Sequence, residues 1–218
     1  MHKQFGNLIL AVGILLLTAA LFLVSHNMAE ENRAEAAVGE VMPALSEAIA
    51  AQLTSAPPAA TDDVPEPGKV PDVEEIILID GEAFLGYLTI DALSLSLPVR
   101  QVLTERNLKQ SPCRYAGCAG TRGFVIAAHN YRRHFADLAS LAAGDTVRFT
   151  DVSGAVYTYT VAQTETLDAA DVAGMTDDSW DLTLFTCTYS GERRITVRCT
   201  AAQIKPSPLG EGVNEVDG

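Results

Sequence analysis

A chain of 218 residues with a formal charge of −13 lacks the basic face that binding to phosphate backbones would need, which excludes a nucleic-acid role. An apolar fraction of 48% suffices for one medium domain with appendages. The charge is uneven: residues 1–75 carry −8, residues 76–205 only −2 and residues 206–218 a further −3, so the acidity lies mostly outside the packed part.

Leu8 to Val24 is a run of 17 residues without a charge, close to the roughly 20 that cross a bilayer core. His2 and Lys3 precede it, whereas Glu30, Glu31 and Glu35 follow with only Arg33 among them. This asymmetry predicts a cytoplasmic amino terminus and an exported remainder. Ser25-His26-Asn27-Met28 is a poor cleavage site, so 1–27 reads as a cytoplasmic tip and an uncleaved signal anchor. Within Ala34–Gln52, Ala37, Val38, Val41, Met42 and Leu45 recur at helical spacing, predicting a stalk helix that Pro43 kinks or divides. Ser55 to Asp72 is a Pro-rich acidic linker, so stalk and linker together occupy 28–75.

From 76 to 205 the chain reads as strand after strand. Phe84–Ile90 and Leu93–Val99 alternate apolar and polar, and Arg100–Arg122 is long and irregular. Gly123–Ala128 is a short buried strand that ends at His129, and His134–Leu141 spaces Phe135, Leu138 and Leu141 as a short helix. Strands over Thr146–Thr150, Ala155–Val161, Leu182–Cys187 and Ile195–Cys199 follow, with a disordered acidic tail at 206–218. The pattern predicts an all-β domain closed, or nearly closed, into a barrel.

Cys187 ends its strand on the same side as Thr183 and Phe185, and the chain returns within a few residues as Arg194 to Cys199. A tight hairpin therefore sets a thiol beside a guanidinium that can donate to a developing oxyanion. His129 lies where a buried strand runs out, and an imidazole near a thiol can act as acid or base in acyl transfer. Each residue alone is equally readable as packing. Cys113 and Cys118, five positions apart in an exported loop, either pair locally or stay free. A zinc site built from these two with His129 and Cys187 would consume the nucleophile and its base, so no metal or cofactor is expected.

These residues resemble a family. Thr183-Leu-Phe-Thr-Cys187 is similar to the sortase T-L-x-T-C signature, and Arg194-Ile-Thr-Val-Arg198 to the R-x-x-V-R that follows it. Val125-Ile-Ala-Ala-His129 resembles V-I-A-G-H, with Ala128 in place of the usual glycine. Phe135, Leu138, Leu141, Gly144, Asp145 and Val147 continue that segment in order, and Leu97-Pro98-Val99 matches a strand near the domain start. The resemblance implies a closed eight-stranded barrel with one or two short helices, carried on a transmembrane helix and stalk. It implies a cysteine transpeptidase of the cell membrane with its catalytic domain outside, Cys187 as nucleophile, His129 as acid/base and Arg194 as oxyanion donor. Thr186, Tyr189 and Asn130 flank these three and are candidates for the substrate groove. The implied partners are surface proteins carrying a carboxyl-terminal Leu-Pro-x-Thr-Gly-like signal, and an amine of the cell-wall precursor or of another protein. The interval between Cys187 and Arg194 is short for the family, leaving only a tight turn where a longer loop often helps to grip substrate. The rival readings are a peptidoglycan L,D-transpeptidase, whose Ser-His-Gly-Cys core is absent, and a catalytically silent adaptor on the same barrel.

Overall fold

The computed structural model describes residues 2–55 and 75–202. Most of the Pro-rich linker and the acidic tail lie outside the described residues. Helix α1 runs from His2 to Ser55, followed by β1 (Ile77–Ile79), β2 (Glu82–Ile90), β3 (Leu95–Arg100), α2 (Glu105–Leu108), β4 (Cys113–Ala116) and β5 (Phe124–Ala127). Then come β6 (Thr146–Asp151), β7 (Val156–Asp168), α3 (Val172–Met175), β8 (Leu182–Cys187) and β9 (Arg193–Ala201).

Eight of these strands form a ring in the order β2-β3-β4-β5-β8-β9-β7-β6, and β6 closes on β2 again. The short β1 pairs only with β2. The β3–β4 and β5–β8 pairs are parallel and the rest antiparallel. Closure leaves the ring without free edges. It also sets a tight constraint at Gly86, where β2 pairs with β3 and β6 at once and the β2–β3 register slips. There φ is +144°, and a Cβ atom would collide with the backbone of Thr150. Only glycine fits.

The barrel interior is filled by alternate residues of each strand, among them Leu88, Leu97, Phe124, Ile126, Phe149, Tyr159, Leu184 and Val197. Phe124 and Phe149 meet edge to face at 5.2 Å. Burying each such side chain contributes roughly 1.5–3 kcal/mol against the entropy of ordering it. A smaller cluster on the outer face of the sheet joins Val125 and Ala127 of β5, Phe185 of β8 and Met175 of α3.

Three expectations need correction. The stalk helix and the apolar run are one continuous helix that passes Pro43 without a break. Val41, Leu45 and Ile49, on both sides of Pro43, pack with Phe84, Ile77, Ile79 and Tyr87, so docking compensates for the lost hydrogen bond. The helix expected over His134–Leu141 reduces to a 3-10 turn at Leu138–Ser140, because the preceding amides bond back to the carbonyls of His129 and Tyr131. The irregular stretch Arg100–Arg122 holds both α2 and β4, and β4 is needed to complete the ring. The apolar part of α1 is long enough to cross a membrane, with a mean hydropathy of 2.8 over its most apolar window.

Candidate active site

The ladder positions of β5, β8 and β9 bring the three candidate residues together. Cys187 of β8 is directly opposite Arg194 of β9, and antiparallel partners share a face with Cβ atoms about 5 Å apart. In the parallel β5–β8 ladder the last step pairs Ala127 with Phe185, and the Ala128 amide donates to the Phe185 carbonyl at 3.2 Å. Two residues on from each come His129, just past the end of β5, and Cys187, the last residue of β8, which continues the outer face that holds Phe185. All three side chains are half-buried.

Adjacent positions do not make an assembled site, and in this state the side chains are not bonded to each other. The Arg194 guanidinium is turned back on its own hairpin, donating through Nη1 to the carbonyls of Gly191 at 2.9 Å and Arg193 at 3.1 Å. The His129 ring stacks on Tyr131 with centroids 4.8 Å apart, and its Nε2 is buried without a hydrogen-bond partner. Burial pushes the His129 pKa down; the charges of Glu105 and Glu30 partly offset this, and that of Lys109 adds to it. The neutral imidazole is therefore the favoured resting form.

The residues proposed to flank the site fall in different places. Thr186 points to the opposite face of β8 from Cys187, fully buried and with its hydroxyl unpartnered. Tyr189, in the β8–β9 turn, is 97% exposed, and Asn130 is half-buried beside His129. Cys113 and Cys118 are both free thiols: Cys113 is buried at the start of β4, and Cys118 lies half-buried beyond its end. Among the described residues no three His, Cys, Asp or Glu side chains gather as a metal would require.

Two contributors were not assigned from the sequence. Tyr131 supports the His129 ring, and an aromatic residue two positions after a candidate histidine was the available signal. Arg198 was read only as part of a motif. Its side chain is 2% exposed and donates to Glu165 Oε1 at 2.7 Å, Thr183 Oγ1 at 3.0 Å and the Gly174 carbonyl at 2.6 Å. It thus fastens α3 to the sheet on the face that carries Cys187, with Asp171 capping α3 through the Gly174 amide.

The model of the Sortase domain matches residues 88–202, more than half of the chain. The chain belongs to the sortase family. Sortase A of Bacillus anthracis is 29% identical over 133 residues, which cover 54% of this chain and 59% of that protein. The match therefore spans only about three fifths of that relative's length. Two solved structures share the barrel: sortase A of Corynebacterium diphtheriae and sortase A of Listeria monocytogenes. The first is 20% identical with a TM-score of 0.52, covering 58% of this chain and 64% of its own. The second is also 20% identical with a TM-score of 0.51, covering 55% and 88%. At these identities the two structures speak for the fold of the sortase domain.

His134 gives that domain an acid-sensitive spot. It is wholly buried, neither ring nitrogen has a hydrogen-bond partner, and Tyr131 separates it from His129. Burial pushes its pKa down to about 4 and the nearby His129 adds to the effect; the Gln110 backbone, near the ring but outside hydrogen-bond geometry, opposes it. Between the ordinary value of 6.5 and about 4, the unfolded chain takes up a proton that the folded chain refuses. Stability is therefore complete above pH 6.5 and falls as the pH drops through that window, by about 3 kcal/mol in all. Denaturation in detergent micelles at pH 7 and pH 4.5 should show this loss, and His134→Leu should shrink it. An equal acid loss in both proteins would assign the effect elsewhere.

Proposed function

We propose that this sortase cuts a carboxyl-terminal sorting signal and joins the freed acyl group to an amine. The signal is Leu-Pro-x-Thr-Gly-like and is cut between Thr and Gly. The reading is carried by the juxtaposition of Cys187, His129 and Arg194 at the ends of three neighbouring strands, within a chain of the sortase family. The neutral His129 first accepts a proton from the Cys187 sulfur, which attacks the Thr carbonyl carbon. Arg194 leaves the Gly191 carbonyl and donates to the oxyanion. As the C–N bond breaks, His129 returns its proton to the leaving Gly amine, and a thioester remains on Cys187. An incoming amine then attacks the thioester, His129 takes its proton, and the sulfur departs with the new amide bond formed. Hydrogen bonds of this kind are commonly unmade in a free enzyme and tighten on the substrate, in keeping with the resting state described above.

The acceptor is an amine of the cell-wall precursor or of another surface protein. The chain is held in the cell membrane by a single span, its amino terminus in the cytoplasm and the barrel outside. Support for this orientation comes from His2 and Lys3 before the apolar run and the carboxylates after it. The test is to incubate the full chain in detergent micelles with a Leu-Pro-x-Thr-Gly peptide and a glycyl amine. The ligated peptide, with release of the fragment beginning at Gly, is the expected product by mass. Product formed only from peptidoglycan stem peptides, or none from either, would overturn the reading.

A further inference from the structure

Helix α1 changes character at one point along its length. From Gly6 to Met28 every side chain is exposed, whereas from Ala29 onward a stripe including Glu30, Ala34, Val38, Val41, Leu45 and Ile49 turns inward at helical period. This second half lies along the barrel in a fixed direction. Its beginning is at the candidate active site: Glu30 pairs with Lys109 at 3.7 Å, Glu35 pairs with Arg133 at 3.1 Å, and the charge of Glu30 acts on His129. Its end is at the opposite pole, where Leu53 packs on Gly154 in the β6–β7 turn. That turn shares a cavity of about 230 Å³ with Phe124, the first residue of β5, whereas His129 follows the last.

Moving along α1 from Leu53 to Glu30 is therefore moving from the far pole to the site. Six more residues in the same direction, about 9 Å of helix, reach Val24, where the apolar run ends. The loops at this pole also expose apolar groups that nothing in the fold explains. Tyr189 in the β8–β9 turn is 97% exposed, Val172 in α3 51%, and Val102 and Leu103 before α2 54% and 39%. At the far pole, among the described residues, Leu53 at the end of α1 and Val156 at the start of β7 are comparably bare, at 58% and 57%. Tyrosine in particular is favoured where a bilayer meets water.

We propose that α1 holds the Cys187–His129–Arg194 pole of the barrel against the bilayer that α1 itself spans, with Tyr189 and Val172 touching the headgroup layer. The occupant of this surface is the lipid, because within six residues of leaving the barrel at that pole the helix becomes apolar on every side. The site then serves peptides whose scissile bond lies within roughly 9–17 Å of the hydrocarbon edge, a reach set by the helical rise from Val24 to Glu30 and to Glu35. The proposal rests on reading α1 as a membrane anchor.

The test uses the full chain in phospholipid nanodiscs that contain a headgroup-nitroxide lipid. Trp180→Phe provides the background for a single tryptophan introduced by Tyr189→Trp or by Ser153→Trp. Quenching several-fold stronger at position 189 than at position 153 is expected. A flexible Gly-Ser insertion between Met28 and Ala29 should erase the difference. Should a variant fail to fold, Val172→Trp against Val156→Trp gives the same comparison. A chain that binds nanodiscs but is quenched equally at both positions, at neither, or more at 153, overturns the orientation and leaves the anchor intact. A chain that does not co-migrate with nanodiscs overturns the anchor reading and the orientation together.

Discussion

Cys187→Ala is expected to abolish thioester formation and to lower the ligation rate by at least about 10³-fold, since losing a nucleophile that works with its base removes the whole covalent route. The fold should survive, because Cys187 is half-buried at a strand end and lies outside the barrel's interior cluster. No other core cysteine stands ready to substitute. Burial pushes the thiols of Cys113 and Cys199 up to about 12, with Arg100 partly opposing the effect at Cys113. A low-pKa, accessible thiol is what acyl transfer requires, and neither of these qualifies. Intact-mass analysis of the full chain quenched during turnover, with and without hydroxylamine, reads the thioester directly. A Cys187→Ala protein that still forms ligated product would end the proposed mechanism.

Arg198→Met should be the most damaging change away from the chemistry. It leaves Thr183 Oγ1 and the Gly174 carbonyl without their donor and Glu165 without its cation. Breaking a buried charge pair costs about 3–5 kcal/mol, and Glu165 keeps some contact with water, so about 3 kcal/mol is the expected loss. For a domain of this size that lowers Tm by roughly 10 °C. Arg198→Lys should recover only part of the loss, because an ammonium cannot reproduce a planar fork to three acceptors. The connection that carries α3 should also become open to proteolysis between Asp168 and Asp181. An unchanged Tm with intact protection there would mean that Arg198 does not fasten α3.

The placement of the candidate residues on their strands was legible because they sit in short, ordered runs. Leu182–Cys187 matches β8 residue for residue, and Phe185 does lie on the Cys187 side, away from Leu182 and Leu184, which fill the barrel. The returning strand was placed so that Arg194 would face Cys187, which is the observed register. What was hidden depended on distant partners. Strand β4 is only four residues long with a register break, so it shows little periodicity of its own. The docking of α1 was visible as a helical stripe but had no visible partner, because Phe84, Ile77 and Ile79 come after the linker. His134 looked like the start of a helix, and its complete burial arises from a turn that bonds back to Tyr131.

The parallel β5–β8 pairing also governs when Cys187 and His129 can become neighbours. Residues 124 and 182, which begin that ladder, are 58 positions apart, and the barrel must close before His129 and Cys187 become neighbours. Such long-range pairing is slow to form because its loop-closure entropy comes first. On the proposed reading, a chain exported before it folds would emerge with Cys187 and His129 far apart, and would gain its chemistry only when the ring closes.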